Sequence, residues 1–301
     1  MTPVRFIYHD GYDLHFGKHV FPSQKYRLIR RKLIDDLLVG PEDFLTPEPA
    51  TCEQLCTVHT AEWVRKLMTG TLTYHDIVRL EAPYSRKMVE AFLLAAGGTL
   101  LAGREALRTG GVGFNIGGGF HHAFPGHGEG FCAIHDVAVA IRVLQREGVI
   151  ARAMVVDVDV HHGNGTAAIF AGDPQVFTIS IHQRDNYPQE KPPSSIDIHL
   201  DDFTRDAEYL EKFVLAYVPS VGAFAPDVIF YVAGADPYFD DQLGGLSLTA
   251  EGLLARDELV FRTARKRGIP VMAALAGGYA RNLPDTVMLH VNTARAALSK
   301  A

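Results

Sequence analysis

The segment VVDVDVHHGNGT, residues 155–166, concentrates side chains that hold metals. Side chains alternate in an extended chain, so Asp157, Asp159 and His161 share one side, and a carboxylate two residues before an imidazole can close on one cation. Asp236, in VAGADPY, leaves a second apolar run and could supply a third ligand. Two carboxylates neutralise a divalent cation and one imidazole adds direction. Three protein ligands leave positions open for water and a substrate oxygen, the form of a catalytic site. The alternative for the same run is a capped turn with hydrogen-bonded carboxylates.

A second segment, FNIGGGFHHAFPGHGEGFCAIHD, carries three consecutive glycines and then His121–His122. Adjacent side chains of an extended strand point apart. A glycine-lined turn can bring both rings to one pocket, one to accept and donate a proton and the other to tune the field. Histidines on an exposed loop are the competing reading, and His127 and His135 are read as surface or capping residues.

Positioning such groups calls for strand ends. Apolar runs at Arg5–Tyr8, Val112–Ile116, Ala153–Val158, Val176–Ile181, Val228–Ala233 and Val271–Ala276 read as strands covered on both faces, as parallel strands are. Helical periods fall at Ser23–Leu38, Ser85–Leu107, Ile134–Glu147, Ala207–Tyr217, Thr249–Lys266 and Leu283–Leu298. Alternating strands and helices predict an α/β fold with a mostly parallel sheet, and no linker or repeat divides residues 1–301, so one domain is expected. The candidate residues follow strands, where parallel sheets build their sites.

The composition is that of a globular chain, 47% hydrophobic and 21% charged. Lys and Arg number 29 against 35 Asp and Glu, a net charge of −6 that offers no basic surplus for a nucleic-acid backbone. No apolar run reaches the roughly 20 residues of a membrane span, and no signal-peptide pattern opens the chain. The cysteines, Cys52, Cys56 and Cys132, are odd in number, with Cys52 and Cys56 read as packing thiols; a reducing cytoplasm is expected.

The motifs NIGGGFHHA, GFC, DVDVHHGNGT, GADP with GGLSLT, and LAGGY occur in this order, and together they resemble the zinc-dependent histone deacetylase superfamily over nearly the whole chain. The pieces RDELVF, LGGLSLT and NYP look most like its class IV members, which include compact bacterial proteins. The resemblance implies a three-layer arginase/deacetylase-like fold and a zinc-dependent hydrolase that removes acetyl or longer acyl groups from lysine side chains of proteins or peptides.

Residue by residue, the resemblance implies that Asp159, His161 and Asp236 hold zinc, with Fe2+ or another divalent ion as substitutes. His122 matches the residue that takes a proton from the attacking water and returns one to the leaving amine. His121 matches its electrostatic partner, bonded to Asp157. Tyr279 matches the tyrosine that polarises the substrate carbonyl. The Gly130 carbonyl would accept from the substrate amide, with Phe131 and Tyr187 flanking the lysine tunnel. A structural potassium ion would map to Asp157, Asp159, His161, Ser180 and Ile181, and a more remote cation to Phe170, Asp173 and Val176. Some members carry an aspartate where this chain has Asn164, which would pair with His122 and favour its neutral form. The region before Ser85 departs most from the family pattern, and Tyr84 is its one candidate for gripping a substrate backbone.

Three other readings compete. Acetylated polyamines are an alternative substrate class. Arginase-type ureohydrolases share the fold but need a D-x-D pair where this chain has Asp236–Pro237. A non-catalytic acyl-lysine reader would have no need to keep ligands, histidines and tyrosine together.

Overall fold

The structure is a computed structural model that describes residues 3–299. In chain order its strands are β1 Val4–Ile7, β2 Phe44–Leu45, β3 Val112–Asn115, β4 Ala153–Asp157, β5 Val176–Gln183, β6 Ile196–Leu200, β7 Val228–Val232 and β8 Val271–Ala274. They form one sheet in the order β2-β1-β3-β8-β7-β4-β5-β6, and every pairing is parallel. Every residue of β3, β4, β7 and β8 is buried, so both faces of the central sheet are covered.

The helices are α1 Lys25–Asp35, α2 Cys52–Leu55, α3 Ala61–Thr69, α4 Tyr74–Leu80, α5 Arg86–Thr109, α6 Asp136–Arg146, α7 Asn164–Ile169, α8 Asp206–Phe224, α9 Ala250–Lys266 and α10 Leu283–Leu298. Long α5 packs on α6 and crosses β1, β3 and β8, while α1, α10, α9 and α8 form a second chain of contacts. Local chemistry sets the helix ends. Ser85 and Thr249 cap α5 and α9 through their side chains, and α5 closes on Gly110 in the left-handed region.

All six expected strands and all six expected helices are present. The sequence reading missed β2, only two residues long, and β6, whose IDIHL alternates acid and imidazole with apolar residues and so lacks the signature of a buried strand. It also missed α2, α3, α4 and α7, and it ended α8 at Tyr217, although the helix runs on through Pro219. Cys52 and Cys56 are exposed on and after the short α2, so the packing role expected of them is corrected; Cys132 alone is buried.

Parallel pairing aims every strand's carboxyl end the same way, and the loops after β3, β8, β7, β4 and β5, five neighbours in the sheet, meet there. A buried arginine ties two of these loops down. From α9, Arg256 donates through Nη1 to the carbonyls of Gly234 (2.9 Å) and Val158 (3.3 Å) and pairs through Nη2 with Asp257 Oδ1 at 2.8 Å. Asp257 also accepts from Thr293 Oγ1 on α10 at 2.6 Å and from the Tyr231 hydroxyl on β7. Replacing Arg256 by Leu leaves Asp257 buried without its cation, so chemical denaturation should report a loss of about 3–5 kcal/mol. A loss below about 1 kcal/mol would mean that the hydroxyls alone hold this carboxylate.

Candidate active site

The two histidines after β3 owe their placement to a glycine turn. Gly118 and Gly119 have φ of +83° and +78°. A Cβ on Gly118 would collide with Asp136 Oδ2, so only glycine fits. Asp136, the first residue of α6, cradles the turn by accepting from Gly119 N (2.9 Å) and Phe120 N (2.8 Å), and the chain leaves it with both rings in one pocket. The centroids of His121 and His122 lie 4.0 Å apart.

Their partners separate the two rings chemically. His121 Nδ1 lies 2.7 Å from Asp157 Oδ2 at the end of β4; burial favours the neutral ring, but Asp157 and then Asp159 outweigh it and push the pKa up to about 9. Burial and the neighbouring His121 and His161 drive His122 the other way, well below the ordinary histidine value. His122 Nδ1 meets Asn164 Oδ1 at 2.7 Å, and Asn164 Nδ2 donates to Glu129 Oε1 at 2.6 Å. A carboxylate accepts only, so Glu129 fixes which way the amide faces. The Asn164 oxygen then takes the proton of His122 Nδ1 and leaves Nε2 with its lone pair, the tautomer a general base requires.

Asp159 and His161 lie in the loop just past β4, and Asp236 lies past β7. One oxygen or nitrogen from each falls within 4.8 Å of the others, and all three residues are buried. Asp236 Oδ1 accepts from Val160 N at 2.8 Å, whereas its Oδ2 is buried without a hydrogen-bond partner. Asp159 Oδ2 accepts from Gly277 N at 2.8 Å. Burial would lower the His161 pKa, but its hydrogen bond to Asp159 (2.9 Å) and the charge of Asp236, whose Oδ2 lies 3.4 Å from Nδ1 outside hydrogen-bond geometry, push it up to about 10; burial and Asp159 push Asp236 up to about 7. A proton therefore sits where a cation's charge is wanted. The orphaned oxygen and a donor set of two carboxylates and one imidazole fit a divalent ion with open positions.

The ligands face a pocket of about 670 Å3, counted out to its mouth, whose walls include His122, Gly130, Phe131, Tyr187 and Tyr279. Gly130 and Phe131 both have positive φ, +51° and +66°. A Cβ on Gly130 would stand 2.7 Å from the His122 ring and 2.9 Å from Tyr187, so glycine here keeps the passage open. The Tyr279 ring centroid lies 6.4 Å from that of His161, and burial raises the pKa of its hydroxyl far above the usual tyrosine range, keeping it a donor.

The remaining expected positions are also placed. Ser180 pairs with Asp157 across β4 and β5, with Ile181 next to it, while the carbonyls of Phe170 and Asp173 accept in the turn that leads to Val176. His127 is half-buried against Glu129, and His135, read as surface or capping, is buried and caps α6. Tyr84 is corrected: its hydroxyl donates to Leu67 O at 3.0 Å on α3, and it does not line the pocket. Glu81 does, from a left-handed position at the end of α4, and Tyr187 lines the same pocket. The sequence reading also missed Lys25, fully buried, whose Nζ donates to Ala276 O at 2.7 Å and stands 5.8 Å from the Tyr279 ring centroid. Asp241 was missed too; it accepts from Tyr279 N at 2.6 Å and from Leu243 N at 2.9 Å.

An eight-stranded parallel sheet that delivers a His–Asp pair, a His–Asn pair, a Asp-His-Asp cluster and a tyrosine to one pocket defines a hydrolase of the deacetylase class. Residues 19–294 match the model of the histone deacetylase domain, and the chain belongs to that family. It is 39% identical to an uncharacterised protein of Picosynechococcus over 97% of both chains. It is 31% identical to histone deacetylase 2 of Arabidopsis thaliana over 95% of this chain and 78% of that one. Against the acetoin utilization protein AcuC of Bacillus subtilis it is 34% identical over 81% and 69%. The crystal structure of the HDA15 HD domain shares the fold with a TM-score of 0.84 at 24% identity, over 99% of this chain and 89% of that one.

Two measurements test this geometry. Because His161 must lose its proton to become a ligand, divalent-metal binding at pH 7 should release about one proton or more and weaken as the pH falls. Calorimetry in buffers of different ionisation enthalpy reads this directly, and a buffer-independent heat would contradict it. The second concerns the Asn164 pairing. In a Glu129→Gln background, where a new carboxylate stays ionised, Asn164→Asp stabilises the His122 imidazolium and raises its pKa. A base must be neutral, so the acidic limb of kcat/KM should move to higher pH; an unmoved limb in the fully metallated variant would sever the pair.

Proposed function

We propose that this deacetylase removes acetyl or longer acyl groups from lysine side chains of proteins or peptides. The observation that carries the reading is the pocket itself: Gly130, Phe131 and Tyr187 line one passage together with His122 and Tyr279, and the exposed Glu81 adds a carboxylate to its wall. Such a passage suits an extended alkyl chain ending in an amide, with a polar backbone left outside.

Asp159, His161 and Asp236 would hold zinc, which supplies Lewis acidity to polarise the acyl carbonyl and acidify water. Asp157, Asp159, His161, Ser180 and Ile181 would hold a potassium ion. His122 Nε2 takes a proton as water adds to the acyl carbon, and Tyr279 donates to the oxygen that becomes negative. When the C–N bond breaks, His122 returns the proton to the amine nitrogen, giving a carboxylic acid and free lysine. His121, held cationic by Asp157, stabilises the negative charge that builds beside it and keeps His122 neutral between turnovers. The Gly130 carbonyl accepts from the substrate amide N–H and fixes the direction of the chain. Free cysteines, two of them exposed, support a reducing compartment such as the cytoplasm.

Glu81 also favours a second reading, an acetylated diamine or polyamine, because an exposed carboxylate on the wall can pair with a distant ammonium as well as with a peptide N–H. Turnover of lysine peptides bearing acetyl, butyryl, octanoyl and myristoyl groups, set against acetylated diamines, separates the two. The lysine reading expects kcat/KM for at least one acyl-peptide to exceed that for every diamine, and the reverse order would replace it.

Tyr279→Phe removes one hydroxyl aimed at the developing oxyanion, and turnover should fall on the order of 100-fold to 1,000-fold, mainly in kcat. His122→Ala should keep its metal and lose turnover. Hydrolysis by Tyr279→Phe within about threefold of the parent would make this tyrosine structural.

A further inference from the structure

A second set of histidines lies on the far side of the β4 loop. His162, next to the inward-facing His161, is fully buried, with Nε2 3.1 Å from Asp197 Oδ1 and no partner at all for Nδ1. His182, at the end of β5, is equally buried; its Nδ1 lies 2.9 Å from Ser180 Oγ and its Nε2 2.9 Å from His199 Nδ1. These contacts follow from register. Parallel pairing sets Ser180 opposite Asp197 and His182 opposite His199, and alternation keeps all four on one face of the β5–β6 pair. The His182 ring stands nearly perpendicular to His162 and to His199, with centroids 4.6 and 4.7 Å away.

We propose that His162, His182 and Asp197, with His199 completing the set, bind a divalent transition-metal ion of the zinc type, separate from the catalytic cluster. One ligand atom from each of the first three already lies within 4.8 Å of the others. Three imidazoles and a carboxylate are a tetrahedral donor set that suits zinc, copper or nickel and disfavours magnesium or calcium. Ser180 Oγ can accept from His182 Nδ1–H, which turns the Nε2 lone pair into the cluster, the usual outer support of a metal-binding histidine. Bonds of about 2.0–2.1 Å in a tetrahedron place ligand atoms about 3.3 Å apart, so the present spacings of 2.9 and 3.1 Å open by only a few tenths of an ångström. As a purely structural network the group is poor. It sets two fully buried rings and a carboxylate against an exposed third ring on the edge strand, with one nitrogen facing another between His182 and His199, a juxtaposition that a shared cation would stabilise. Entry is open, since His199 is exposed and Asp197 half-buried at the edge of the sheet. The ion would clasp edge strand β6 to β5 and to the loop that carries the catalytic ligands.

The test is zinc content by elemental analysis after dialysis of the intact protein against buffered zinc in excess. The parent should hold two ions per chain, Asp197→Ala and His199→Ala one each, Asp236→Ala one, and Asp236→Ala combined with Asp197→Ala none. Circular dichroism confirms that the edge-strand variants are folded, and both substitutions fall at accessible positions. Zinc should also raise the Tm of Asp236→Ala, and that rise should vanish when Asp197→Ala is added. A parent that holds a single ion overturns the proposal, as does a second ion that survives both Asp197→Ala and His199→Ala.

Discussion

Everything near the pocket answers to one constraint: Asp157, Asp159, Asp236 and Asp241 are buried together at the carboxyl ends of adjacent strands. Unpaired carboxylates in such surroundings are costly by several kcal/mol each, so the fold has to supply positive charge and N–H groups around them. It does so unevenly. Asp241 is held by the backbone N–H groups of Leu243, Gly244 and Tyr279, Asp157 by His121, and Asp159 by Gly277 N together with His161. Asp236 is left one oxygen short, and that shortfall is the opening through which a cation enters the design. Lys25 fits the same logic: burial pulls its pKa down to about 8 while Asp236, Asp159 and Asp241 support the charge, so a cation from the first helix reaches the floor of the site without ligating anything.

The parallel sheet makes such a concentration possible. Five neighbouring strands each deliver the loop that follows them to the same edge. Backbone bonds such as Ala235 N to Gly277 O and Gln183 N to Val160 O join some of these loops, and buried side chains add to that pairing. Asp136 does this for the glycine turn after β3, and Arg256 for the loops after β4 and β7. The precision of the site therefore rests on residues from α6 and α9 that touch no substrate.

This division explains what could be read from the sequence. Asp157, Asp159, His161 and Asp236 were legible because alternation and strand ends are local patterns, and the central strands were legible because they are apolar on both faces. Lys25, Glu81, Glu129 and Asp241 carried no local signal. Lys25 looks like an ordinary surface charge until the fold sets it on Ala276, 251 residues on; Glu129 and Asp241 meet Asn164 and Tyr279, 35 and 38 residues on, and Glu81 reaches the pocket wall from a left-handed φ of +55°. Tyr84 was singled out for its type and lies near the right loop, yet its hydroxyl is taken by Leu67 O. Strand β6 escaped because Asp197 and His199 interrupt its apolar residues, and those same side chains give the edge strand its unusual chemistry.

The Asn164 pairing shows how far a small local change reaches. An aspartate against His122 would place a full negative charge on the ring's hydrogen bond and make the imidazolium easier to form. Here the amide carries no charge, and the carboxylate of Glu129 stands one hydrogen bond further out, where it orients the amide and leaves the ring proton affinity to burial and to His121. Orientation and charge, which a single aspartate would supply together, are thus separated. The tautomer is fixed by a directional bond chain running from Glu129 through Asn164 to His122, while the field at the ring is set from the other side by the His121–Asp157 pair. The His122 ring is therefore biased to its neutral form without losing its aim, and the residue that aims it can differ from the one that tunes it.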